Sequence, residues 1–508
     1  MGHVFVVPGD ITRFACDAWL LPTDCTLHLA QGWLSSVDGL RAARDALGGE
    51  ADDLRTEHTV ALALPRWDGP RPVLTAVPFH GVRDARDVGD RVGAGLREAS
   101  RVARDTHSAR GRPLVAMPLF GGAGGGGDAF RGTLVRAALE TARATDADVD
   151  VALVLREERD LAQAQRLRRQ EEDRWWPGLD DALRERSATL AGHAGRGRLV
   201  PFIGAGVSIS AGLPTWKGLV ERLTTERLSP ADRTEFGTLD VLDQAEILER
   251  GYADRAAFAA AVVGHTSADR YGIAPALLSG LPCREAVTLN YDQLYELAGE
   301  ALGKRTAVLP EDSAALGERW LLKLHGTVTR PESIVLTRRD YLAFRSGREA
   351  LSALAKALLL TRHLLFVGFG LTDDHFHEVV HDVRAVRPRR PGDPKLGTAL
   401  MLSSSTLRRR LWGDDLDLVA LDDGGALTDV ADQARQMEIF LDHLLAHTDA
   451  GPGHLLDDRF AMLLTPPERR LADRLRRVAA EMGDDELSTT AGRAVRDLLD
   501  RLGDSARR

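Results

Sequence analysis

A run of small and polar residues directly follows an apolar stretch in LVPFIGAGVSISAGLPTW, residues Leu199–Trp216. Glycines in such a turn let the backbone bend tightly and approach a pyrophosphate closely. The N–H groups of a helix start, together with serine hydroxyls, favour an anion at the same place. A tight strand–helix turn without a ligand would have a similar sequence, so the motif on its own leaves both possibilities open. The residues expected to contact a diphosphate are Gly204, Ala205, Gly206, Ser208 and Ser210.

Three later motifs place polar or glycine residues after further apolar runs. TLNYD offers Asn290 and Asp292, KLHG offers His325, and FVGFGLTDD offers Gly368 and Gly370. Open α/β sheets bind their ligands beyond the carboxyl ends of the strands, so four such ends can converge on one crevice. A histidine at one strand end is more often structural than catalytic. Four polar or glycine-rich ends in one sheet are difficult to assign to packing alone.

These motifs need a parallel sheet to position them, and residues 199–448 predict one. Most of the apolar runs are continuous, as in strands that are buried on both faces. Helices separate them, and a mostly helical insertion extends from Trp216 to about Leu281. The predicted fold is therefore α/β, with a Rossmann-like, doubly wound parallel sheet. The strand candidates are Leu199–Ala205, Ala286–Asn290, Leu321–His325, Leu364–Gly368, Ala399–Leu402 and Leu416–Leu421.

A separate N-terminal α/β domain is predicted over residues 1–157. Short apolar runs alternate there with two segments of helical spacing, Val88–Arg104 and Phe130–Arg143, which indicates a sheet covered by helices. The strand candidates are Val4–Val7, Ala18–Leu21, Val73–Pro78, Leu114–Pro118 and Val151–Leu155.

Two further segments carry no strand signal. Residues 158–198 are densely charged with both signs interleaved, which predicts a solvated helical connector. Pro177 interrupts it after Trp175 and Trp176, and we expect these tryptophans to dock the connector onto one domain. Residues 449–508 predict a helical tail that packs on the body, mediates self-assembly or binds a protein partner.

Composition excludes several classes of protein. The chain has 508 residues, 44% of them hydrophobic, and a net charge of −9, so it is globular and lacks the basic surface of a general nucleic-acid binder. Cys16, Cys25 and Cys283 form no CxxC pair, which argues against a zinc ribbon and a disulfide scaffold. His377 and His381 have helical metal-ligand spacing without an apparent third ligand, so we expect no metal. Without a signal peptide or a spanning segment, a cytoplasmic protein with no membrane association is expected.

The ordered motifs GAGVSISAG, TLNYD and LHG resemble the sirtuin (silent information regulator) superfamily over residues 199–448. The resemblance implies that NAD binds in the crevice. Asn290 and Asp292 would border the nicotinamide ribose, and His325 would be the catalytic base. The residues that it assigns to the diphosphate are Gly204, Ala205, Gly206 and Ser208, and those near the adenosine are Gly368 and Phe369.

Two departures from sirtuin deacylases narrow the expected function. Their Asp-Phe-Arg is replaced by Thr215-Trp216-Lys217, and no cysteine follows Cys283 to form their zinc module. The chain therefore looks like the bacterial antiphage-defence branch, whose members hydrolyse NAD and deplete it in infected cells. NAD would be the substrate, and the products would be nicotinamide and ADP-ribose. A sirtuin-type ADP-ribosyltransferase and a non-enzymatic sensor of NAD or ADP-ribose remain alternatives, and deacylation is the poorest fit.

The chemistry of the residues agrees with this expectation. Cleavage of the nicotinamide–ribose bond passes through an oxocarbenium-like centre, and the pyridine leaves as a neutral base, so little acid catalysis is needed. Asn290 can orient a water molecule or the ribose hydroxyls through its amide. His325 can take the proton, since the ordinary pKa of histidine is close to neutrality.

The N-terminal domain resembles macro domains in GDITRFACDAWLLPTD and in the glycine run PLFGGAGGGGD. Where that family has two asparagines, this chain has Leu21 and Asp24. Their loss favours binding of an ADP-ribose-like nucleotide over its hydrolysis. A fold that binds nothing and only supports assembly is the alternative. We expect the domain, or homo-oligomerisation, to gate NAD hydrolysis. The expected ligand contacts are Asp10, Ile11, Gly121, Gly122, Gly124 and Gly125.

Overall fold

The structure is a computed structural model. The residues that it describes are 2–56, 59–65, 67–78, 82–106, 110–122, 126–145, 148–315, 318–387, 390, 392–403, 405–422, 427, 429–448 and 453–503. They fall into two compact units. The first comprises Met1–Ser108, Arg112–Gly178 and Asp449–Arg508, and the second comprises Ala109–Gly111 and Leu179–Thr448.

The strands of the first unit form a mainly parallel sheet in the order β1-β6-β5-β2-β4-β3, in which only the β3–β4 pairing is antiparallel. The strands of the second unit form an all-parallel sheet in the order β13-β12-β11-β7-β8-β10-β9. Their bounds are β1 Val4–Pro8, β2 Ala18–Thr23, β3 Ala61–Ala63, β4 Arg71–Ala76, β5 Leu114–Met117, β6 Asp150–Leu155, β7 Leu199–Ile203, β8 Glu285–Thr288, β9 Thr306–Leu309, β10 Arg319–Lys323, β11 His363–Val367, β12 Gly397–Met401 and β13 Leu416–Ala420.

Helices cover both sheets and form the insertion and the tail. In chain order they are α1 Gln31–Ser36, α2 Leu40–Asp45, α3 Glu50–Arg55, α4 Ala85–Arg104, α5 Arg131–Arg143, α6 Glu158–Arg169, α7 Glu172–Trp175, α8 Asp181–Gly195, α9 Trp216–Arg227, α10 Pro230–Phe236, α11 Val241–Arg250, α12 Arg255–Thr266, α13 Ile273–Gly280, α14 Leu294–Ala301, α15 Arg338–Gly347, α16 Glu349–Thr361, α17 Asp374–Val386, α18 Thr406–Trp412, α19 Val430–His447, α20 Pro466–Glu481, α21 Asp484–Ser488 and α22 Thr490–Arg501. Short 3₁₀ helices occur at Ile11–Arg13, Asp128–Phe130, Ala205–Ala211, Pro331–Ser333 and Asp458–Leu463.

The predicted α/β class is confirmed in both units. Every predicted strand is present, with ends that differ by at most two residues. The second sheet starts at β7 in its middle, adds β8 on one side and later β11 on the other, which is the doubly wound arrangement. The topological switch point therefore lies between β7 and β11. The apolar strands of this sheet are buried on both faces, and every residue of β7 is buried.

Two strands of the structure, β3 and β9, are not predicted by the sequence. β3 is three residues long. β9 reads TAVL, ends immediately before Pro310 and lies at the edge of its sheet. Both are too short to display a period. The GAG turn also leads into a 3₁₀ helix, and the α-helix expected after it begins only at Trp216.

The interpretation of residues 158–198 as solvated is wrong for α6, most of whose side chains are buried in the first unit. Several of its charged side chains have partners inside the protein. Arg168 is fully buried, donates to the carbonyl of Val4 at 3.1 Å, and lies 4.2 Å from the ring centroid of the buried Trp176. Arg159 pairs with Asp457 of the tail at 2.6 Å. High charge density alone therefore did not indicate exposure, because charged side chains such as Arg159 and Arg168 bind partners within the first unit.

Candidate active site

The four motifs of the second unit all include one residue of a single row of paired strand positions. Val367 of β11 pairs with Ile203 of β7, Ile203 pairs with Thr288 of β8, and Thr288 pairs with Lys323 of β10. Counting two residues past this row on each strand reaches Phe369, Ala205, Asn290 and His325. The predicted site residues are therefore brought to one carboxyl edge of the sheet at the same height.

The glycine turns after β7 and β11 pack directly against each other. The N–H of Gly206 donates to the carbonyl of Gly368 at 2.9 Å, and the N–H of Gly204 donates to that of Val367 at 2.9 Å. A Cβ on Gly204 would lie 2.4 Å from the Gly368 oxygen, and one on Gly206 would lie 2.7 Å from its Cα. Gly368 has a φ of +63°. These glycines are thus required by backbone contact within the protein, and the N–H groups of Gly204 and Gly206 are already used.

Asn290, Ser208 and Asp292 form one hydrogen-bonded group. Nδ2 of Asn290 donates to the carbonyl of Gly204 at 3.1 Å and to Oγ of Ser208 at 3.2 Å. The buried Ser208 hydroxyl donates to Oδ2 of Asp292 at 2.7 Å. Two acceptors on one side of the amide fix its orientation, so Oδ1 of Asn290 is left as the acceptor for another partner.

A fully buried lysine binds the backbone of the TLNYD turn. Nζ of Lys323 donates to the carbonyls of Tyr291 and Asp292 and pairs with Oε1 of Glu296 at 2.8 Å. Burial raises the pKa of Glu296, and the neighbouring ammonium opposes that shift. Since a buried ammonium needs several acceptors, this arrangement fixes the backbone that carries Asn290.

The HG turn that carries His325 is held by its own contacts. Gly326 has a φ of +91°, and a Cβ there would lie 2.2 Å from the carbonyl oxygen of Ser333. The N–H of Val335 donates to the carbonyl of His325 at 2.9 Å, and Arg348 donates to the carbonyl of Leu324 at 2.8 Å. Only glycine fits at this corner, and the turn sets the direction of the His325 side chain.

His325 is 3% exposed and lies among aromatic rings and a second histidine. Its Nε2 is 3.1 Å from Nδ1 of His375 and 3.9 Å from Oδ2 of Asp373. Burial lowers the pKa of His325 to about 4, and the Asp373 carboxylate only partly offsets this effect. The expectation of a pKa near neutrality is therefore wrong, and His325 is an uncharged base at pH 7.

The surroundings of His325 are tied together by further contacts. Nε2 of His375 lies 3.3 Å from the carbonyl oxygen of Tyr341. The hydroxyl of Tyr341 donates to Oδ2 of Asp373 at 2.7 Å. The His375 ring stacks on Phe344 with 3.9 Å between centroids. Ligand atoms of His325, Asp373 and His375 lie within 4.8 Å of one another, which is also metal-ligand spacing. The hydrogen bonds account for that proximity.

Comparison with known proteins finds a family that is similar to this part of the chain. Residues 284–416 match the family described as the SIR2-like domain. The expected resemblance is confirmed. The matched segment runs from the start of β8 to the start of β13 and so includes Asn290, His325 and Gly368, whereas the GAG turn precedes it.

Curated relatives match between 36% and 41% of the chain. Defense-associated sirtuin 2 of Bacillus subtilis is 28% identical over 217 residues, which is 41% of this chain and 21% of that protein. The NAD(+) hydrolase ThsA of Enterococcus faecium is 27% identical over 205 residues, covering 38% and 41% of the two chains. ThsA of Cytobacillus dafuensis is 25% identical over 196 residues, covering 36% and 38%. The matches thus span between a fifth and two fifths of these relatives.

Among solved structures, an Oceanobacillus iheyensis macrodomain with MES bound matches 33% of this chain and 92% of its own. The sequence identity is 17% and the TM-score is 0.23. None of the helices among the described residues is both long enough and apolar enough to cross a membrane.

The remaining predicted site residues of the second unit differ in their surroundings. Oγ of Ser210 is buried and makes no hydrogen bond among the described residues, and it lies against Gly272. The Phe369 ring is half-buried and packs at 5.0 Å from Phe202 and 5.2 Å from Phe376, between centroids. Ala205 begins the 3₁₀ helix at the turn.

Sequence reasoning missed the residues that support the candidate site of the second unit. Tyr341 and His375 lie in none of the four motifs, and Lys323 and Asp373 lie in motifs from which other residues were predicted. The roles of all four depend on which elements pack together. A signal was present in KLHG, since a lysine inside a buried strand needs a partner. Of the histidines of α17, the spacing in the sequence singles out only His377 and His381, and both are exposed.

The candidate nucleotide site of the first unit lies beyond β1 and β5. Oδ1 of Asp10 accepts from the N–H of Thr12 at 3.0 Å and caps a 3₁₀ helix, and Ile11 is buried. Gly121 has a φ of +78°, and a Cβ there would lie 2.7 Å from Val82. Gly122 lies beside the guanidinium of Arg131. The predicted contacts Gly124 and Gly125 lie outside the described residues.

The cation beside this glycine run is already paired. Arg131, the first residue of α5, donates to both oxygens of Asp160, at 2.7 Å from Nε to Oδ1 and 2.7 Å from Nη2 to Oδ2. Burial raises the pKa of Asp160, and the guanidinium opposes that shift. Arg459 of the tail donates to Asp128 at 3.1 Å. Both α6 and the tail therefore contribute to the surroundings of the run.

Proposed function

We propose that this protein hydrolyses NAD to nicotinamide and ADP-ribose and acts as an antiphage effector that depletes cellular NAD. The observation that carries the proposal is the convergence of Asn290 and His325 two residues beyond the paired strand ends of β8 and β10. The names of the relatives, a defence-associated sirtuin and NAD(+) hydrolases, support the same reaction.

The two side chains offer complementary functions at that edge. Oδ1 of Asn290 is a fixed acceptor, since Nδ2 donates to Gly204 and Ser208. It can therefore accept a hydrogen bond from a ribose hydroxyl or from the attacking water. His325 is uncharged at pH 7 because of its burial, so it can accept a proton. A buried site also strengthens each of these interactions relative to bulk water.

The reaction balances without a further reactant. A water oxygen forms a bond to C1′ of the nicotinamide ribose as the C1′–N bond breaks, and that electron pair returns to the pyridine nitrogen. Nicotinamide leaves as a neutral base, and the water proton passes to His325. Release of this proton to solvent restores the enzyme.

The test is product analysis after incubation of the full chain with NAD. We expect free nicotinamide and ADP-ribose, and a loss of at least about 10²-fold in rate for Asn290→Ala and for His325→Ala. His381→Ala, exposed on α17, is the matched control and should keep the wild-type rate. Full turnover in both active-site variants would refute the assignment.

The same experiment distinguishes the other functions. Radioactive label retained on protein would indicate ADP-ribosyl transfer. NAD binding without nicotinamide release would indicate a sensor. Both results would require a different account of His325.

We infer that the first unit gates this activity by binding an ADP-ribose-like nucleotide, with homo-oligomerisation as a second route. The support is the macro-like sequence around Asp10 and Gly121, together with the need to keep an NAD-depleting enzyme inactive until it is required. The full chain is needed for the test, because α6 and the tail belong to the first unit. We expect calorimetric binding of ADP-ribose and a rise in NAD turnover; full activity without ligand or assembly would contradict gating.

A further inference from the structure

His375 makes two hydrogen bonds through its two ring nitrogens, and together they constrain His325. Nε2 of His375 lies 3.3 Å from the carbonyl oxygen of Tyr341, and Nδ1 lies 3.1 Å from Nε2 of His325. Both rings are buried, at 6% and 3% exposure, so water does not compete for these nitrogens. His375 itself is held between the rings of Tyr341 and Phe344, with centroids at 4.3 and 3.9 Å.

The positions of the protons follow from this chain of contacts. A carbonyl oxygen only accepts, so the proton of a neutral His375 is on Nε2, and its Nδ1 is an acceptor. Nε2 of His325 must then donate to Nδ1 of His375. A neutral imidazole carries one proton, which leaves the basic lone pair of His325 on Nδ1. Burial lowers the pKa of both rings, which keeps both neutral at pH 7.

We propose that His375 is a positioning residue that fixes His325 as the Nε2–H tautomer, so that Nδ1 of His325 is the atom that accepts the proton in NAD cleavage. The proposal rests on the proposed function for the identity of the reaction. The tautomer itself follows from the contacts of Tyr341, His375 and His325 alone.

Asp373 completes the arrangement by compensating the charge that forms. Its Oδ2 accepts from the Tyr341 hydroxyl at 2.7 Å and lies 3.9 Å from Nε2 of His325. When Nδ1 takes the proton, the new imidazolium lies next to this carboxylate, and Nε2 keeps its donation to His375. The ring therefore does not have to turn during the reaction, which is the advantage of an oriented base.

The first measurement reads the tautomer directly in the full-length protein. Ring nitrogens of ¹⁵N-labelled histidine give different correlation patterns for Nδ1–H and Nε2–H, and His325→Asn assigns the signal. We expect the Nε2–H form for His325 in the wild type at neutral pH. An Nδ1–H form, or a mixture of both, would overturn the proposal whether or not the protein turns over NAD.

Two substitutions of His375 separate its two nitrogens. His375→Asn keeps an acceptor near the position of Nδ1, and His375→Gln keeps a donor near Nε2 without that acceptor. We expect His375→Gln to lose about 10–100-fold in kcat with KM changed by less than about threefold, and His375→Asn to retain most of the rate. His381→Gln, exposed on the same helix, is the control.

The outcomes identify which idea fails. Equal losses in the Asn and Gln variants, with the wild-type tautomer of His325 unchanged in both, would reduce His375 to a packing residue and overturn the proposal. Nε2–H in the wild type without any nicotinamide release would refute the NAD hydrolase and leave the inferred tautomer standing. Thermal unfolding of each variant identifies any loss that comes from misfolding, and the wild-type spectrum still decides the tautomer in that case.

Discussion

Acidification should destabilise the second unit through His325, by an amount that the structure defines. Burial holds the pKa of this side chain at about 4, against about 6.5 in an unfolded chain. The unfolded state therefore takes up a proton as the pH falls below about 6.5, and the folded state does not until about pH 4. The contribution to stability is fully present above about pH 6.5 and is lost on acidification. A difference of this size corresponds to about 3 kcal/mol.

His325→Asn isolates this contribution, because it removes the titrating ring. Hydrogen exchange of peptides from β8 and β10 gives the free energy of unfolding of the second unit alone. Between about pH 7 and about pH 4.5 we expect the wild type to lose about 2.5 kcal/mol more than the variant, since the rest is lost only below about pH 4. Burial also lowers the pKa of His363 to about 4, but this residue is present in both proteins and cancels. Parallel pH curves for the two proteins would refute the reasoning.

Two further predictions follow from buried contacts. Lys323→Met should lower the stability by about 3–5 kcal/mol and abolish NAD turnover, because it leaves the Glu296 carboxyl buried without its cation. Adding Glu296→Gln should recover part of the stability. Thermal unfolding measures the stability of both variants. Gly368→Ala should cost about 2 kcal/mol or more, since φ is +63° and the new Cβ would lie 2.5 Å from the Val207 nitrogen. Gly370→Ala is its control, with only the Thr372 hydroxyl at 3.5 Å, and equal losses in the two variants would contradict the steric argument.

The sequence was a good guide to the sheet of the second unit, because its strands are buried on both faces and read as continuous apolar runs. It also predicted where the polar motifs meet. Once β8 and β10 are neighbours in a parallel sheet, residues at equal distances past paired positions must lie side by side. Thr288 and Lys323 are such a pair, which is why Asn290 and His325 converge.

The contacts that tune the site could not be predicted in the same way. His375 comes from α17 and Tyr341 from α15, and no local pattern shows that these helices bring the two rings to His325. The lowered pKa of His325 has the same origin, since it depends on burial by residues distant in the chain. Similarly, the charges of α6 appeared solvated because Asp160 and its partner Arg131 are 29 residues apart.

The glycine motif itself acquires a different physical meaning. Gly204 and Gly206 suggested a turn shaped for a phosphate, yet the group that excludes a side chain from both positions is the backbone of Gly368. The need for glycine would be the same with an empty site, so the GAG turn reports how β7 and β11 meet at the switch point of the sheet. The evidence for chemistry lies with acceptor atoms on side chains whose other polar atom is already held by hydrogen bonds, so that the orientation of the side chain is fixed. Oδ1 of Asn290 and Nδ1 of His325 are such atoms, and substitutions that alter them, more than substitutions of the glycines, separate the reaction from the fold.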